Sequence, residues 1–275
     1  MESFNMEYNL DEALERLNIK KDELDSMREN LPDNCPSNIT DKQLLLFFNA
    51  CNFKTEYALN VIKIYYNCRK NAPEHFDNRD PYSDEIQQCL ENQYYIPIPP
   101  YEKGGYLIVY HQLQNSTPSN YIFTNAVKTY CMTIDYAIQK YGPAPGVIFI
   151  FDMKTVRLMH LFQAKISGIK KLLTYLQYGL PAKVARIHVL NTSSIFNRIL
   201  TMIKPFLQKE LLEIIHTHPT DMDYEEFFKK WIPKTHMPSD YGGDMPSVEE
   251  LHFDFCKEIV LKKEFFDAEE KQRKP

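Results

Sequence analysis

The sequence offers little from which a metal centre or a disulfide framework could be built. Its six cysteines are spread over 275 residues and form no CxxC pair. The closely spaced histidine pair His216-x-His218 has no cysteine or carboxylate beside it at the spacing that zinc ligands use. We therefore predict reduced thiols and no metal site, and a metal hydrolase built on the histidine pair is a disfavoured alternative.

Long apolar runs and export signals are also missing. No window contains the roughly 18 uninterrupted apolar residues of a transmembrane helix. Residues 1–7 show neither the basic nor the apolar part of a signal peptide. A content of 44% hydrophobic and 13% aromatic residues is nevertheless enough for a substantial core. The expectation is a folded cytoplasmic protein.

The common signatures of catalysis are absent too. The chain has no G-x-S-x-G elbow, no P-loop and no G-x-G-x-x-G turn. These absences remove the usual signs of an esterase, a nucleotide hydrolase and a dinucleotide enzyme. We expect a protein that is not an enzyme and that needs no cofactor.

Acidic residues are missing from one long stretch. Residues 153–209 form 57 consecutive positions without Asp or Glu, whereas the rest of the chain has 22 Lys and Arg against 37 Asp and Glu. Charge concentrated in this way predicts an anionic partner. We call the ten cations of this stretch the basic belt: Lys154, Arg157, Lys165, Lys170, Lys171, Lys183, Arg186, Arg198, Lys204 and Lys209.

An anionic membrane is a better candidate for that partner than a nucleic acid. Few aromatic residues are interleaved with the basic belt, and the whole chain has a net charge of −5. The same stretch contains an amphipathic helix predicted over 195–208, and cations beside an apolar stripe are typical of proteins that lie on anionic lipid. We expect an anionic membrane surface as a partner and no nucleic acid.

Two regions differ in their expected secondary structure. Roughly the first 75 residues read as helices, with Thr40 and Asp41 capping one of them. From residue 105 on, short β-branched or aromatic runs alternate with helical stretches, which predicts parallel strands covered by helices. The runs lie at 106–110, 147–151, 187–190 and, more polar, 213–217.

The predicted helix 195–208 has an apolar arc of roughly 160°, wider than the ~100° that docks an ordinary helix on a core. It is either a core helix with one edge under a loop, or a lid with one stripe toward a cavity and the other toward lipid. Pro205 favours a hinge or a break near its end. The inner stripe is Phe196, Ile199, Leu200, Ile203 and Leu207, and the outer stripe is Ile195, Met202 and Phe206.

Several segments resemble the CRAL-TRIO lipid-binding family, in particular its branch of α-tocopherol transfer and cellular retinaldehyde-binding proteins. Segments 187–191 (IHVLN), 195–196 (IF) and 204–207 (KPFL) are similar to the lid region, and 149–152 (FIFD) is similar to the central strand. Segment 238–243 (PSDYGG) resembles the closing P-x-x-Y-G-G motif, with Asp240 where Glu is usual. Residues 41–76 resemble the helical N-terminal module, but 47–53 (FFNACNF) replaces its usual F-L-R-A-R-K-F cluster.

The resemblance implies an α/β fold. A helical N-terminal bundle is followed by a CRAL-TRIO domain whose mostly parallel sheet floors an apolar cavity closed by a lid helix. The implied organisation is a helical N-terminal module over 1–75, a linker over 76–104, a lipid-binding domain over 105–250 and a C-terminal helix or tail over 251–275. The charge density of residues 261–275 predicts that this last part is solvated.

The resemblance also implies which residues bind ligand and membrane. The hydroxyls of Thr129 and Thr133 would orient a polar end of the ligand. The expected cavity residues are Thr129, Tyr130, Thr133, Val147, Phe151, Leu172, Leu176, Ile187, Val189, Phe196, Ile199, Leu200 and Ile203. The expected contacts to anionic lipid, including phosphoinositides, are Lys183, Arg186, Lys204 and Lys209, and those to the bilayer are Leu158, Phe162, Ile195, Met202 and Phe206.

The implied function is that of a carrier. It binds one small hydrophobic lipid, such as a tocopherol, a retinoid, a carotenoid or another isoprenoid, and exchanges it at anionic membranes when the lid opens. It would be cytoplasmic and only transiently associated with membranes. The alternative is a lipid-sensing adaptor or regulator of the same fold that binds lipid without transferring it.

Overall fold

The computed structural model describes residues 5–100, 105–114 and 117–274. Its N-terminal region is helical, as the sequence predicts. Thr40 caps the third helix, because its hydroxyl accepts a hydrogen bond from the backbone N–H of Gln43 while the Gln43 side chain accepts one from the backbone N–H of Thr40. The first helices are α1 (Leu10–Leu17), α2 (Lys21–Arg28), α3 (Asp41–Ala50), α4 (Thr55–Asn71), α5 (Pro73–Phe76) and α6 (Asp84–Asn92).

One five-stranded sheet follows. Its strands are β1 (Gln93–Ile98), β2 (Leu107–Leu113), β3 (Val147–Asp152), β4 (Val184–Leu190) and β5 (Ile215–Thr217), in the spatial order β1-β2-β3-β4-β5. β1 pairs antiparallel with β2, and the other neighbours pair in parallel. The α/β fold with a mostly parallel sheet is therefore confirmed.

Helices connect and cover these strands. Within the described ranges, no helix is both long enough and apolar enough to cross a bilayer. The helices are α7 (Phe123–Tyr141), α8 (Leu158–Gln163), α9 (Ile166–Thr174), α10 (Ser194–Ile203), α11 (Lys209–Glu213), α12 (Tyr224–Lys230), α13 (Val248–Val260) and α14 (Lys263–Arg273). A π-helical turn, Tyr175–Gly179, continues α9, and a 3-10 turn, Lys204–Phe206, continues α10.

The alternation of side chains along β3 creates a core on each face of the sheet. Val147 and Phe149 pack with α7 and the N-terminal helices in the larger core. Ile148 and Ile150 pack with α12 and the segment around Tyr241 in the smaller one. Successive residues of a strand face opposite sides, so one run of apolar residues serves both cores.

The segment 76–104 is not the linker that the sequence suggested. It contains helix α6 and strand β1, although residues 101–104 lie outside the described residues. Pro97, which has no N–H to donate, lies within this strand. β1 is an edge strand, where a proline is tolerated, and Pro97 pairs in register with Val109. The domain boundaries themselves stay a prediction.

The expectation of a solvated C-terminal segment is wrong. Within residues 261–275, Phe266 of α14 is buried. Glu269 of α14 is only 2% exposed even though it carries a charge. The charge density of the sequence misled here, because some of these charges are paired inside the protein.

A buried ion-pair cluster holds the C-terminal helix to the rest of the chain. Arg69 of α4 and Arg79 have no exposed surface, and both donate to Asp135 of α7, at 2.7 and 2.5 Å. Both guanidinium groups also form ion pairs with Glu269. Burial would raise the pKa of Asp135, but the two arginines outweigh that effect and hold the pKa below its usual value.

Arg273 extends this cluster to the surface. Its guanidinium pairs with Glu269 at 3.0 Å and with Asp77 at 2.8 Å. The three arginines of the cluster balance its three carboxylates in formal charge, and the exposed Lys274 pairs with Asp77 from the surface at 2.8 Å. Balance matters because an unpaired buried charge costs several kcal/mol, on the order of the stability of a whole domain.

Asp135→Asn tests how far the fold depends on this cluster. The substitution leaves Arg69 and Arg79 with one buried carboxylate between them, so the free energy of unfolding should fall by about 3–5 kcal/mol. Urea denaturation followed by circular dichroism measures the change. The matched control is Glu225→Gln, which removes an exposed ion pair with Lys234 and should cost about 1 kcal/mol or less. Equal losses in the two variants would contradict the role of the cluster.

Candidate functional site

An apolar cavity of about 310 Å³ lies between the sheet and the helices that cover it. This volume falls in the range of small-molecule sites, roughly 300–1,000 Å³. The sheet contributes Phe149, Phe151, Val184, Ile187, Val189 and Ile215. Helices α7, α9 and α10 contribute Ala126, Val127 and Tyr130, then Ile169, Leu172 and Leu173, then Phe196, Ile199, Met202 and Ile203.

Most of the residues predicted from the sequence meet in this cavity. They are Tyr130, Phe151, Leu172, Leu176, Ile187, Val189, Phe196, Ile199 and Ile203. Val147 lies on the predicted face of β3 but does not border the cavity, because it sits at the first position of the strand and packs in the larger core. That these residues bind a ligand stays a prediction.

The two threonines chosen as polar anchors do not reach the cavity. Thr129 and Thr133 are fully buried within α7 and are not part of the lining. Thr129 donates to the carbonyl of Asn125, and Thr133 donates to the carbonyl of Thr129, each at 2.9 Å. Threonine hydroxyls in a helix often bond to the carbonyl four residues earlier, so these hydroxyls are satisfied locally.

Helix α10 covers the cavity with a face that differs from the predicted one. The observed lining includes Met202 and leaves out Leu200. At about 100° per residue, this face is rotated around the helix axis from the predicted face by roughly half of one residue step. Two expectations are therefore corrected: Leu200 lies outside the lining, and Met202 faces inward instead of toward a bilayer. The helix also ends at Ile203, just before Lys204–Phe206.

The chain that enters α10 is fixed by a buried carboxylate. Asn191 has left-handed backbone geometry (φ 52°), and its side-chain amide donates to both oxygens of Asp152 at 2.9 Å. Asp152 also accepts from Tyr241 at 2.5 Å and from the backbone N–H of Lys154 at 2.6 Å. The aspartate that ends β3 is thus saturated with hydrogen bonds.

Tyr241 belongs to the segment 238–243, and its two glycines explain why that segment turns back to the sheet. Gly242 has a φ of +78°, which glycine adopts without strain. A Cβ at Gly243 would lie 1.9 Å from the carbonyl oxygen of Met237, so no larger residue fits. The turn delivers the Tyr241 hydroxyl to both Asp152 and the hydroxyl of Tyr110.

The other end of the α10 segment is fixed by one glutamine. Gln177, in the π-helical turn, donates from its amide nitrogen to the carbonyl of Phe206 at 3.0 Å. Its amide oxygen accepts from the backbone N–H of Gln208 at 2.7 Å. The turn lies close to α4, because a Cβ at Gly179 would stand 3.3 Å from the Cα of Tyr65. Gln177 therefore clasps the chain just after the 3-10 turn.

Large apolar side chains are exposed beside the cavity. Met159, Phe162 and Ile166 are 57%, 74% and 56% exposed. We call these three residues the apolar rim. Phe162 was predicted to touch a bilayer, whereas Met159 and Ile166 were missed. Leu158, the other predicted contact on α8, is half-buried, as are Ile195 and Phe206.

The cations of the basic belt differ in their exposure and in whether they are already paired. Seven of its cations are exposed and have no acidic partner within 4 Å among the described residues: Lys154, Arg157, Lys165, Lys170, Lys183, Arg198 and Lys204. Lys171 pairs with Glu74 at 2.6 Å, and the exposed Lys209 pairs with Glu213 at 3.7 Å. Arg186, a predicted anionic-lipid contact, lies against the rings of Tyr106 and Trp231 and donates to the Trp231 carbonyl. These contacts hold the Arg186 side chain against the protein.

The histidine pair noted in the sequence lies on the other face of the sheet. His216 and His218 surround His188, whose Nδ1 lies 2.9 Å from Nε2 of His218. Burial and the neighbouring histidines lower the pKa of His188 to about 3, and that of His218 to about 4. Both imidazoles are therefore neutral at pH 7. In the described part of the chain, no three metal-binding side chains are grouped so as to hold an ion.

The sequence did not single out the polar side chains of the cavity. Five polar residues border it: His111, Tyr121, Tyr130, Asp152 and His160. Of these, only Tyr130 was named, and as part of the wall. The signal for His160 is its position, a lone histidine in the apolar stretch 158–162 (LMHLF).

A mostly parallel sheet that floors an apolar cavity, under an amphipathic covering helix, is typical of an α/β protein with a site for a small hydrophobic molecule. The sequence comparison agrees. The CRAL/TRIO domain model matches residues 91–243, and a model described as a Pinta-like UBA domain matches residues 17–86. The chain belongs to the CRAL/TRIO family, whose members are lipid-binding and lipid-transfer proteins.

Individual relatives are similar over most of this chain. "Alpha-tocopherol transfer protein-like" from Homo sapiens is 28% identical over 220 residues, which cover 80% of this chain and 63% of the relative. Clavesin-2 from Homo sapiens is 21% identical over 207 residues, or 75% and 62%. The chain thus spans less than two thirds of either relative. The crystal structure of Sfh5 has the same fold, with a TM-score of 0.52 over 81% of this chain and 83% of that chain at 12% identity.

Proposed function

We propose that the protein is a carrier that holds one small hydrophobic lipid in the cavity and exchanges it at anionic membranes when α10 moves. The observation that carries this proposal is the cavity itself, about 310 Å³ with an almost wholly apolar lining. Protein interiors are normally close-packed, and an apolar hollow of this size is unusual unless a ligand fills it. Tocopherols, retinoids, carotenoids and other isoprenoids fit this description.

The surface beside the cavity supports the membrane part of the proposal. Met159, Phe162 and Ile166 present apolar groups to solvent, and Lys165 and Lys170 are exposed next to them in the chain. Apolar side chains flanked by cations favour the surface of an anionic bilayer. Because Leu161, Ala164 and Ile169, close to the rim in the chain, line the cavity, docking here would bring the ligand close to lipid. Phosphoinositides are one anionic lipid that such cations would attract.

The alternative is an adaptor that binds lipid and does not transfer it. The arrangement of the rim and the cavity favours the carrier, because a sensor has no need of an apolar exit toward the bilayer. Transfer of a lipid between donor and acceptor vesicles separates the two functions. A carrier accelerates transfer, and an adaptor binds without accelerating it.

The first prediction of the carrier proposal concerns the cavity. Organic extraction of the purified protein followed by mass spectrometry should release a hydrophobic lipid in nearly stoichiometric amount. Ala126→Phe places a ring inside the cavity and should lower the yield by about tenfold, because the ring occupies volume that the lipid needs. Ile122→Phe, one turn earlier on a 47% exposed side chain, is the matched control and should keep the yield. An empty wild-type protein would refute the carrier.

The second prediction concerns the basic belt. Changing four exposed cations to Gln should weaken binding to phosphatidylserine vesicles at least tenfold, since each cation near an anionic surface contributes about 1 kcal/mol. Sedimentation with vesicles measures the binding. The four are Lys165, Lys170, Arg198 and Lys204. The control removes the same charge from exposed lysines of the N-terminal region, Lys20, Lys54, Lys63 and Lys70.

If both quadruple variants lose binding equally, net charge alone matters and the belt has no special position. If neither loses binding, electrostatic attraction is not part of the mechanism.

The third prediction concerns the clasp at Gln177. Gln177→Ala removes two hydrogen bonds that hold the segment after α10, each worth about 1 kcal/mol. If α10 must move for exchange, lipid transfer between vesicles should become several-fold faster. Gln87→Ala is the control, because Gln87 also donates to a backbone carbonyl, that of Pro81, far along the chain from the cavity. An unchanged transfer rate in Gln177→Ala would show that this end of the segment does not limit exchange.

A further inference from the structure

The polar side chains that border the cavity are not all satisfied. Asp152 accepts hydrogen bonds from Asn191, Tyr241 and the backbone of Lys154. Nε2 of His111 lies 3.0 Å from the side-chain oxygen of Gln93. By contrast, the Tyr130 hydroxyl and Nε2 of His160 are buried and have no partner among the described residues. Buried polar atoms without partners are rare in folded proteins.

The backbone fixes the protonation of His160. Its Nδ1 accepts a hydrogen bond from the N–H of Arg157 at 2.9 Å, which caps the start of α8. A ring whose Nδ1 accepts a hydrogen bond is neutral, and burial, the largest effect, lowers the pKa of His160 below its usual value. A neutral imidazole whose Nδ1 accepts must carry its proton on Nε2. His160, which lines the cavity and is 4% exposed, therefore presents a hydrogen-bond donor.

The charged side chains that the cavity offers or lacks limit which ligand groups His160 can bind. No lysine or arginine is among the lining residues of the described chain, and the one carboxylate, Asp152, is already saturated. A phosphate or carboxylate group would be buried here without a countercharge, which is strongly unfavourable. An uncharged oxygen needs only a hydrogen-bond donor, and His160 has one to give.

We propose that the cavity selects an uncharged lipid with a hydrogen-bond-accepting oxygen, and that the Nε2–H of His160 binds this oxygen. The inference rests on the proposed carrier function and adds the chemical class of the ligand. It excludes free fatty acids and phospholipids as cargo. His160 is then the residue that distinguishes an alcohol or a carbonyl compound from a hydrocarbon of the same length.

Three probes with one carbon skeleton test the proposal: farnesol, farnesane and farnesoic acid, delivered from cyclodextrin at pH 8. Each competes with Nile red for the full-length chain, and the loss of Nile red fluorescence reports binding. We expect farnesol to bind at least as tightly as farnesane, because His160 pairs with its hydroxyl. Without a partner for this buried hydroxyl, farnesol would bind roughly tenfold more weakly than farnesane. Ionised farnesoic acid should bind about a hundredfold more weakly than farnesol.

Variants then locate the donor. His160→Phe should weaken farnesol about tenfold and leave farnesane unchanged, since only farnesol loses a hydrogen bond. His160→Gln, whose amide offers an N–H at a similar reach, should recover most of the loss. Tyr130→Phe removes the hydroxyl of the other unpartnered group in the described part of the lining and tests it as a rival donor.

Each contrary result overturns the inference in a defined way. Equal losses for farnesol and farnesane in His160→Phe would mean that His160 acts only on the fold. Weaker binding of farnesol in Tyr130→Phe but not in His160→Phe would move the donor to Tyr130, and tight binding of farnesoic acid would refute the uncharged class. If Nile red itself fails to bind the wild type, the carrier proposal fails first, so the two failures are distinguishable.

Discussion

The pairing of three arginines with three carboxylates inside the protein is the constraint from which the rest of the architecture follows. Arg69, Arg79 and Asp135 come from segments far apart in sequence, and Glu269 comes from the last helix. None of these charges can stay buried unless all the segments meet in one arrangement. Asp135 lies on α7, the helix that also presents Tyr130 to the cavity. The ion pairs therefore position one wall of the cavity.

This anchoring explains how a hollow can persist in a folded protein. Side chains around an unfilled space lose dispersion contacts on one side, and a pliable core would collapse into it. Here the sheet and α7 are held from outside the cavity, by strand pairing and by the ion pairs. The covering segment is held at its two ends, by Asn191 and by Gln177. Rigid walls and a cover fixed at its ends are the arrangement that a removable ligand requires.

Local chemistry could be predicted from the sequence, whereas long-range pairing could not. The Thr40 cap and the strand containing Phe149 follow from spacing and residue type. The exact buried face of α10 does not, because its rotation depends on the sheet beneath it, and so Met202 and Leu200 exchanged roles. Arg69 and Asp135 look like ordinary helix residues until the fold brings them together. The motif resemblance led to most of the lining residues, but the two threonines that it suggested as polar anchors lie outside the lining.

Three successive residues of the π-helical turn contact three different parts of the molecule. The hydroxyl of Tyr175 accepts from Arg69 at 2.9 Å, Leu176 borders the cavity and Gln177 holds the covering segment. π-helical turns are uncommon and recur where function demands them. One short turn thus connects the buried ion pairs, the wall of the cavity and the segment that covers it. Heat or a substitution that loosens the packing around this turn would therefore also weaken the hold of Gln177 on the covering segment. A ligand that fills the cavity would, in turn, raise the melting temperature of the whole chain.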